Sequence, residues 1–520
     1  MSKKEIPVPV AASFLMPALA SAPKVKIMIN VGACMDIPTG NYLVGLHGEH
    51  ILNGGVGFLT GIVGIGNNFK STLMHYMTVT IAARMGNQTT ITTYDTEINI
   101  HEWHLQRMMQ AHVDLKGTDL IEEGRWNITD KTMYTGDQYY EIAKDFMQKK
   151  IKEKSKYMVT TPFIGRDGKA QQIVAPTAMQ IDSFSEFSTQ DVIKMQDENA
   201  LGESGANMVS MRQGMQKNRV LMEIPYLTGG SYTYMFMTAH IGAEFNMDPR
   251  NPAPKKLQHL KGGMKLKGVP EKFTFTTNNC WHCYNAAPLI NQSTKAPEYP
   301  RDSDDDMSGD TDLNVVIARQ LRNKSGPSGM AVHLIVSQQE GLLPALTEFH
   351  YIKENGRWGL EGNDRNYTHA MCPEIALSRT AVRKKITAHP ELRRALNISS
   401  EMLQMYDLWK DVENEYICTP KELYDDLKAM GYDWSTLLNT RGWWAPKGFH
   451  EDIPFLSTMD LLRMRSGKYI PYWLSSIDKA KIDKSKAKAA PIQEHYRDKI
   501  KDMYVKPESA ADAAPFEIID

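Results

Sequence analysis

Residues 61–72 read GIVGIGNNFKST, and our interpretation of the whole chain begins from them. One apolar run precedes this stretch at residues 56–63, and another follows it at residues 73–83. This order is typical of a buried strand, a glycine-bearing turn and a helix. The sequence therefore predicts that the chain passes from strand to helix within this stretch.

The turn matches the P-loop pattern G-x-x-x-x-G-K-[ST] over residues 64–71, except that Phe69 stands where a second glycine is usual. In such a loop, backbone N–H groups and the positive end of the following helix hold phosphates. Lys70 would reach the β- and γ-phosphates, and Ser71 would bind Mg²⁺. The alternative is a turn with an incidental Lys-Ser pair, which the strand–turn–helix context disfavours. The residues predicted to bind ATP are Gly64, Gly66, Asn67, Asn68, Phe69, Lys70, Ser71 and Thr72.

Length and composition limit what the chain can be. The 520 residues predict one to three domains, and 60 Lys and Arg balance 61 Asp and Glu. Any nucleic-acid site must therefore be a local patch. The five cysteines predict a reducing compartment, the cytoplasm. Cys280 and Cys283 have the spacing of half a zinc site, but no second pair of ligands follows, so we interpret them as strand residues. No apolar run approaches 18 residues, so no membrane partner is expected.

Acidic residues follow two further predicted strands. Residues 89–94 are a β-branched run, and residues 95–97 (Asp-Thr-Glu) follow it. A carboxylate at the carboxyl end of a strand beside a P-loop suits a nucleotide site, so Glu97 is predicted to orient and deprotonate the attacking water. Residues 173–181 are an apolar segment closed by Asp182, as a Walker B element for Mg²⁺ requires. The alternatives are a capping or surface acid for Glu97 and an ordinary strand end for Asp182.

Two more predicted strands end in polar residues. Residues 231–239 lead into His240, which is predicted to touch the γ-phosphate and sense its loss; a structural histidine is the alternative. Residues 313–318 lead into Arg319. A cation at the end of a late core strand suits an arginine finger that reaches the γ-phosphate bound by the next subunit.

Two polar stretches are predicted to be loops. Residues 187–208 contain two glycines and are predicted to be mobile; a helix follows, which Pro225 is expected to stop. Residues 241–270 are predicted to form a flexible basic loop, because residues 250–272 hold seven Lys and Arg against one acid. Such a loop can bind a phosphate backbone, although a solvated surface loop is the alternative. The residues predicted to bind DNA are Lys255, Lys256, Lys261, Lys265 and Lys267.

Four segments are predicted along the chain. They are an N-terminal arm (residues 1–40), an ATPase core (41–352), a mainly helical C-terminal extension (353–505) and an acidic tail (506–520). Residues 8–22 superficially resemble a signal peptide, but Glu5 and three prolines flank or interrupt the run, and an ATPase has little use for secretion. The arm is predicted to be either a disordered leader or a tether that packs on a neighbouring subunit.

These motifs, in this order, resemble the phage UvsX-type recombinases of the RecA family over roughly residues 25–410. A P-loop with Phe-Lys-Ser is common in that branch of the family. Tyr94-Asp-Thr-Glu97 is similar to the family's Tyr-Asp-Ser-Glu, which implies that Glu97 is the catalytic carboxylate. Asp182 corresponds to the Walker B residue and His240 to the sensor. One of the family's two trans-acting cations falls on Ile317, which leaves Arg319 to act alone or with Arg322.

The resemblance implies an α/β fold: a RecA-like P-loop ATPase core with a mostly parallel central sheet, flanked by an N-terminal arm and a C-terminal helical extension. It implies ATP and Mg²⁺ as cofactors, and it makes residues 187–208 and 241–270 the two DNA-binding loops. The expected function is a DNA-dependent ATPase that forms filaments on single-stranded DNA and exchanges strands with a duplex. The expected partners are single-stranded and double-stranded DNA, further copies of the chain, a loader and a single-strand-binding protein. The expected location is the cytoplasm, which is that of the host cell if the chain is phage-encoded. The alternatives are a ring-forming replicative helicase and a DNA-coating protein with little hydrolysis.

Overall fold

A computed structural model describes residues 26–115, 117–165, 168–198, 206–244, 257–302, 309–363 and 365–488. The strands of this part of the chain are β1 Tyr42–Val44, β2 His50–Leu52, β3 Leu59–Gly64, β4 Thr90–Asp95, β5 Trp126–Asp130, β6 Met158–Ile164, β7 Ala170–Val174, β8 Thr177–Asp182, β9 Thr233–Ala243, β10 Met264–Lys267, β11 Asn279–Pro288, β12 Leu313–Asn323, β13 Ala331–Ser337, β14 Gly341–Leu342, β15 Leu360–Gly362, β16 Tyr367–His369 and β17 Cys372–Leu377. Its helices are α1 Lys70–Arg84, α2 Glu102–Ala111, α3 Gly136–Lys152, α4 Gln190–Glu198, α5 Ala206–Ser231, α6 Lys272–Thr276, α7 Pro344–Glu354, α8 Val382–Ala388, α9 Pro390–Leu408, α10 Pro420–Ala429, α11 Trp434–Leu438, α12 Thr458–Arg465 and α13 Ser476–Ala480.

A large central sheet organises the fold. Its strands lie in the order β14-β13-β12-β11-β3-β9-β8-β4-β5, and β10 pairs with the end of β9. The six strands from β11 to β5 run parallel to one another, whereas β10, β12, β13 and β14 each pair antiparallel. The predicted α/β class with a mostly parallel central sheet is therefore confirmed.

Helices cover both faces of the parallel part of this sheet. The helix after the P-loop, α1, packs its apolar side chains on one face, while α3 and α5 pack together on the other. Every residue of β3 and of β8 is buried as a result. A parallel sheet buried on both faces suits continuous apolar strands of this kind.

The helix predicted to stop at Pro225 does not stop there. Helix α5 continues through Pro225 to Ser231. Val220, Leu221 and Ile224 before the proline, and Leu227 after it, are buried in the hydrophobic cluster that also contains residues of α3. Burial of this face on both sides of the proline stabilises the helix by more than the loss of one backbone hydrogen bond destabilises it. Helix propensity contains no information about this burial, so it predicted a helix end.

The first predicted DNA loop is also partly helical. Within residues 187–208, α4 occupies Gln190–Glu198, and α5 begins at Ala206. Val192 is the buried residue of α4, and α4 packs against α5. A helix with one buried apolar side chain has too weak a periodicity to be recognised in a polar sequence.

The predicted boundary of the N-terminal arm is wrong at its carboxyl end. Residues 1–25 lie outside the described part of the chain, but the following residues belong to the main core. Ile29 pairs with Val56, and its side chain is fully buried. The C-terminal region covers this segment, because the Trp444 indole donates a hydrogen bond to the carbonyl of Met28 (3.1 Å).

The C-terminal extension is not separate from the core. Leu346 and Phe349 of α7 share a hydrophobic cluster with residues of α9 and α12, so one helix belongs to both regions. The described part of this region contains helices α8 to α13 and the small sheet of β15, β16 and β17. Residues 489–520, which include the predicted acidic tail, lie outside the described part. Within the described ranges, none of the helices combines enough length and apolarity to traverse a bilayer.

Arg84, at the carboxyl end of α1, joins the P-loop helix to the segments around it. Its Nε donates to Asp114 Oδ2 and its Nη1 to the carbonyl of Asn30, both at 2.8 Å. The guanidinium carbon lies 4.7 Å from the centre of the Trp443 ring. Burial acts to lower the pKa of Arg84, but the negative groups around it, Asp114 first, then Tyr76 and Asp36, together raise that pKa. Arg84 therefore remains charged in the core.

We predict that Arg84→Met lowers the free energy of unfolding by about 3 kcal/mol, because Asp114 is left buried without its cation. Chemical denaturation followed by circular dichroism measures the change. The matched control is Arg219→Met on α5, whose ion pair with Glu223 is largely solvent-exposed; its effect should stay within about 0.5 kcal/mol. Equal losses in both variants would contradict this role of Arg84.

Candidate nucleotide site

The register of the parallel strands brings the predicted site residues to one edge of the sheet. Gly64 lies opposite His240 in the pairing of β3 with β9. Asp95 lies opposite Asp182 in the pairing of β4 with β8, and Ile181 pairs with a residue of β9. Residues of four neighbouring strands therefore reach one level of the sheet beside the P-loop, although β9 itself continues past His240 to Ala243.

The backbone of the P-loop explains both its glycine and its unusual phenylalanine. A Cβ on Gly64 would lie 2.5 Å from the carbonyl oxygen of Cys283 on β11, so no larger residue fits. Phe69, immediately before α1, has φ 54° and ψ 29°. Glycine adopts this left-handed conformation freely, which explains why it is usual here, whereas another residue pays about 1–2 kcal/mol. Phe69 packs its partly buried ring against the main core, which offsets that strain.

The side chain of Lys70 folds back over the P-loop that precedes it. Its side chain is buried, with the residue 8% exposed, and its Nζ donates to the carbonyl of Ile65 at 2.8 Å. Burial lowers the pKa of Lys70, and the carboxylates of Asp182 and Glu97 oppose that shift. A phosphate oxygen is a stronger acceptor than a carbonyl, so an anion in the loop would take over this hydrogen bond.

Asp182 carries a buried carboxylate oxygen of the kind that Mg²⁺ sites use. Its Oδ1 accepts a hydrogen bond from Thr238, while its buried Oδ2 has no hydrogen-bond partner among the described residues. Burial raises the pKa of Asp182, and the hydroxyl groups of Ser71 and Thr238 partly offset the rise. A free carboxylate oxygen next to the Ser71 hydroxyl fits a small, oxygen-preferring cation.

Asp95 arranges the loop that carries Glu97, a role that the sequence did not reveal. Its buried carboxylate accepts four backbone N–H hydrogen bonds of 2.8–2.9 Å, which come from Glu97, Ile98, Asn99 and Ile100. This turn holds the loop at the end of β4. One signal in the sequence could have revealed this role: Asp95 comes at the end of a β-branched strand. An aspartate in that position commonly accepts hydrogen bonds from the backbone N–H groups that follow it.

The predicted base and sensor are in direct contact. Glu97 Oε1 lies 3.1 Å from His240 Nε2, and Asn99 Nδ2 donates to Glu97 Oε2 at 3.1 Å. The side chains of Glu97 and His240 are 30% and 31% exposed, so solvent reaches both. The structure therefore gathers Lys70, Asp182, Glu97 and His240 around one strand edge.

The strand that carries His240 continues into the basic region. Its end pairs with β10, so that Lys267 lies opposite His240. Ser185 links the two backbones, because its Oγ accepts from the His240 N–H and donates to the Lys267 carbonyl, both at 2.9 Å. Lys217 of α5 lies below this link, 2% exposed, and donates to the carbonyls of Ser185 and Gly268. Burial lowers the pKa of Lys217 to about 8. The sequence analysis identified neither Ser185 nor Lys217.

The second predicted DNA loop is a hairpin where the structure describes it. Lys265 and Lys267 lie in β10, both exposed, and alternate with the half-buried Met264 and Leu266. This period of two is the pattern of a half-buried strand, which the glycines and charges around it concealed. Lys261 is exposed in the turn before β10. Lys255 and Lys256 lie outside the described residues.

Arg319 was predicted to lie at the end of its strand, but the structure places it inside strand β12. Strand β12 continues to Asn323, because β11 pairs with it along that length. Arg319 lies two strands from β3, with its guanidinium carbon 5.2 Å from the centre of the Tyr284 ring. Its Nε is buried and has no hydrogen-bond partner among the described residues. The structure does not bring Arg319 into the cluster around Lys70.

Cys280 and Cys283 are strand residues, as predicted. Both lie fully buried in β11. Burial raises the pKa of each thiol to about 12. The two side chains lie in different hydrophobic clusters, so they do not face a common site.

No protein-family model matches the chain, and no curated protein matches it. The functional interpretation therefore depends on the residues of the site themselves.

We predict that Gly64→Ala destabilises the nucleotide-free protein, because the new methyl group would meet the Cys283 carbonyl at 2.5 Å. Clashes of this kind typically cost about 1–3 kcal/mol. Gly66→Ala is the matched control in the same loop, since no atom lies within 4 Å of its Cβ position. Thermal unfolding without nucleotide measures both variants. An unchanged melting temperature for Gly64→Ala would refute the close packing of β3 against β11.

Proposed function

We propose that this protein is an ATP- and Mg²⁺-dependent recombinase that forms filaments on single-stranded DNA and exchanges strands with a homologous duplex. One observation carries the proposal. The residue that contacts the candidate base, His240, lies on the strand whose end pairs with the basic strand β10 and its exposed lysines. A nucleotide site and a phosphate-binding surface on paired strands are what nucleotide-gated binding of DNA requires.

Each residue at the strand edge has a distinct role in hydrolysis. The P-loop N–H groups and Lys70 would bind the phosphates, while Ser71 and Asp182 would hold Mg²⁺, which neutralises the charge that develops on them. Glu97 would accept the proton of the attacking water, since its carboxylate is held by Asn99 and His240 and is open to solvent. The turn around Asp95 keeps Glu97 at that position.

The state of the site would reach the DNA surface through β9. His240 Nε2 faces Glu97, while its backbone N–H is tied through Ser185 to Lys267. A change in the contacts of His240 when the γ-phosphate leaves would therefore act on the hairpin. Lys217 holds the base of that hairpin.

In a filament, a neighbouring subunit would complete the site. Arg319 projects from β12 with a buried Nε that has no partner among the described residues. The proposed role of this cation is to reach the γ-phosphate of the adjacent copy. A closed ring would use the same core for DNA unwinding, and a coating protein would bind DNA with little turnover; the following experiment distinguishes these outcomes.

We predict that Glu97→Gln retains ATP binding but slows DNA-stimulated phosphate release by about 10² or more, the scale of a lost general base. With ATP, this variant should form stable helical filaments on single-stranded DNA, which negative-stain microscopy would show. Lys70→Ala is the control that should neither bind ATP nor form ATP-dependent filaments. Closed hexamers would favour the helicase, and equally low turnover in the unsubstituted protein would favour the coating protein.

We predict that replacing Lys265 and Lys267 together by Gln lowers the salt slope of single-strand binding by about 1 to 2 units, because each phosphate that a lysine neutralises contributes about 0.7. Fluorescence anisotropy over a salt series measures the slope. The matched control replaces Lys149 and Lys152 by Gln on the exposed face of α3. If both pairs change the slope equally, the hairpin is an ordinary solvated surface.

A further inference from the structure

Three metal-ligating side chains meet where α7 packs on β13, away from the nucleotide site. His350 and Glu354 are four residues apart on α7, and His333 comes from β13. His333 Nδ1 lies 2.9 Å from Glu354 Oε2, and His350 Nε2 lies 3.1 Å from Glu354 Oε1. One ligand atom from each of the three residues lies within 4.8 Å of the other two.

These separations are close to those of a tetrahedral zinc site. With metal–ligand bonds of about 2.0–2.1 Å, neighbouring ligand atoms in a tetrahedron lie about 3.3 Å apart. Glu354 Oε1 lies 3.2 Å from His333 Nδ1 and 3.1 Å from His350 Nε2, so this one carboxylate oxygen is within a few tenths of an ångström of both separations. The ligand nitrogens of the two histidines lie within 4.8 Å of each other. Two imidazoles and one carboxylate suit Zn²⁺, whereas Mg²⁺ takes oxygen ligands and keeps its waters.

The second layer of contacts also suits a metal ligand. His350 is largely buried, and its Nδ1 lies 2.9 Å from the hydroxyl of the fully buried Tyr299. A metal-binding histidine is commonly oriented by such a hydrogen bond on its other ring nitrogen. A tyrosine hydroxyl can donate or accept, so it supports the tautomer that leaves Nε2 free.

Exposure of the cluster leaves a position for a fourth ligand. The side chains of His333 and Glu354 are each 40% exposed. We propose that His333, His350 and Glu354 form a Zn²⁺ site with three protein ligands and one water, which fixes α7 against β13. Because α7 belongs both to the core and to the C-terminal cluster, the ion would stabilise the joint between these two regions.

The alternative is an ion-paired cluster that binds no metal. Burial alone would raise the pKa of Glu354, but the hydrogen bonds from both histidines outweigh burial and hold that pKa well below its usual range. The hydrogen bond to Glu354 also raises the pKa of His333. The same three atoms serve either arrangement, and direct titration with metal distinguishes them.

The test is calorimetric titration of the full-length, tag-free protein with Zn²⁺ in the absence of nucleotide, with Co²⁺ as a spectroscopic probe. We expect one equivalent of Zn²⁺ and the visible absorption bands of tetrahedral Co²⁺, without the near-ultraviolet bands that cysteine ligands add. His333→Gln and Glu354→Gln should each weaken Zn²⁺ binding by at least about 100-fold, since loss of outer contacts alone costs 10–100-fold. Zn²⁺ should also raise the melting temperature of the unsubstituted protein but not that of these two variants.

The matched control is His389→Gln, which breaks a two-residue pair of His389 with Glu391 (2.8 Å) and should leave Zn²⁺ binding unchanged. Melting temperatures without metal establish that each variant is folded. Absence of Zn²⁺ binding, or binding that survives both substitutions, would overturn the proposal and leave an ion-paired cluster only. Thiolate bands with Co²⁺ would likewise overturn it, because they would place the ion on cysteines.

Discussion

The parallel pairing of β3 with β9, which sets Gly64 opposite His240, is the constraint on which the candidate site depends. Parallel strands end at the same edge of a sheet, so the pairing of β9 with β8 and of β8 with β4 adds Asp182 and Asp95 at the same level. The turn that Asp95 holds after the end of β4 brings Glu97 to the same edge. Helices on both faces bury these strands and keep their register.

Burial decides the electrostatics at this edge. The carboxylate of Asp182 and the ammonium of Lys70 both lose hydration, which raises the pKa of the acid and lowers that of the base. Each is therefore short of a strong partner: Asp182 Oδ2 has none among the described residues, and Lys70 has a carbonyl. Phosphate and a divalent cation would satisfy both groups at once, which is a physical reason to expect such ligands.

Elements with a strong local signal were predicted correctly, and the others were not. The P-loop turn and the strands ending near Glu97 and Asp182 follow from short apolar runs and turn residues, and they are present. The continuation of α5 past Pro225 and the pairing of β10 depend on contacts with distant segments. Local propensity carries no information about those contacts, so it predicted a helix end and a loop.

The sequence by itself determined which chemical groups are available and in what order: a turn with the P-loop pattern, two acids that follow strands, a histidine and a basic stretch. Only the tertiary structure decided which of them meet. Sheet order placed Glu97 against His240 across 143 positions of sequence, and helix packing added Lys217 and the His333–His350–Glu354 cluster. Side chains distant in sequence become neighbours through strand register and helix packing, which depend on burial of the whole core rather than on any local pattern.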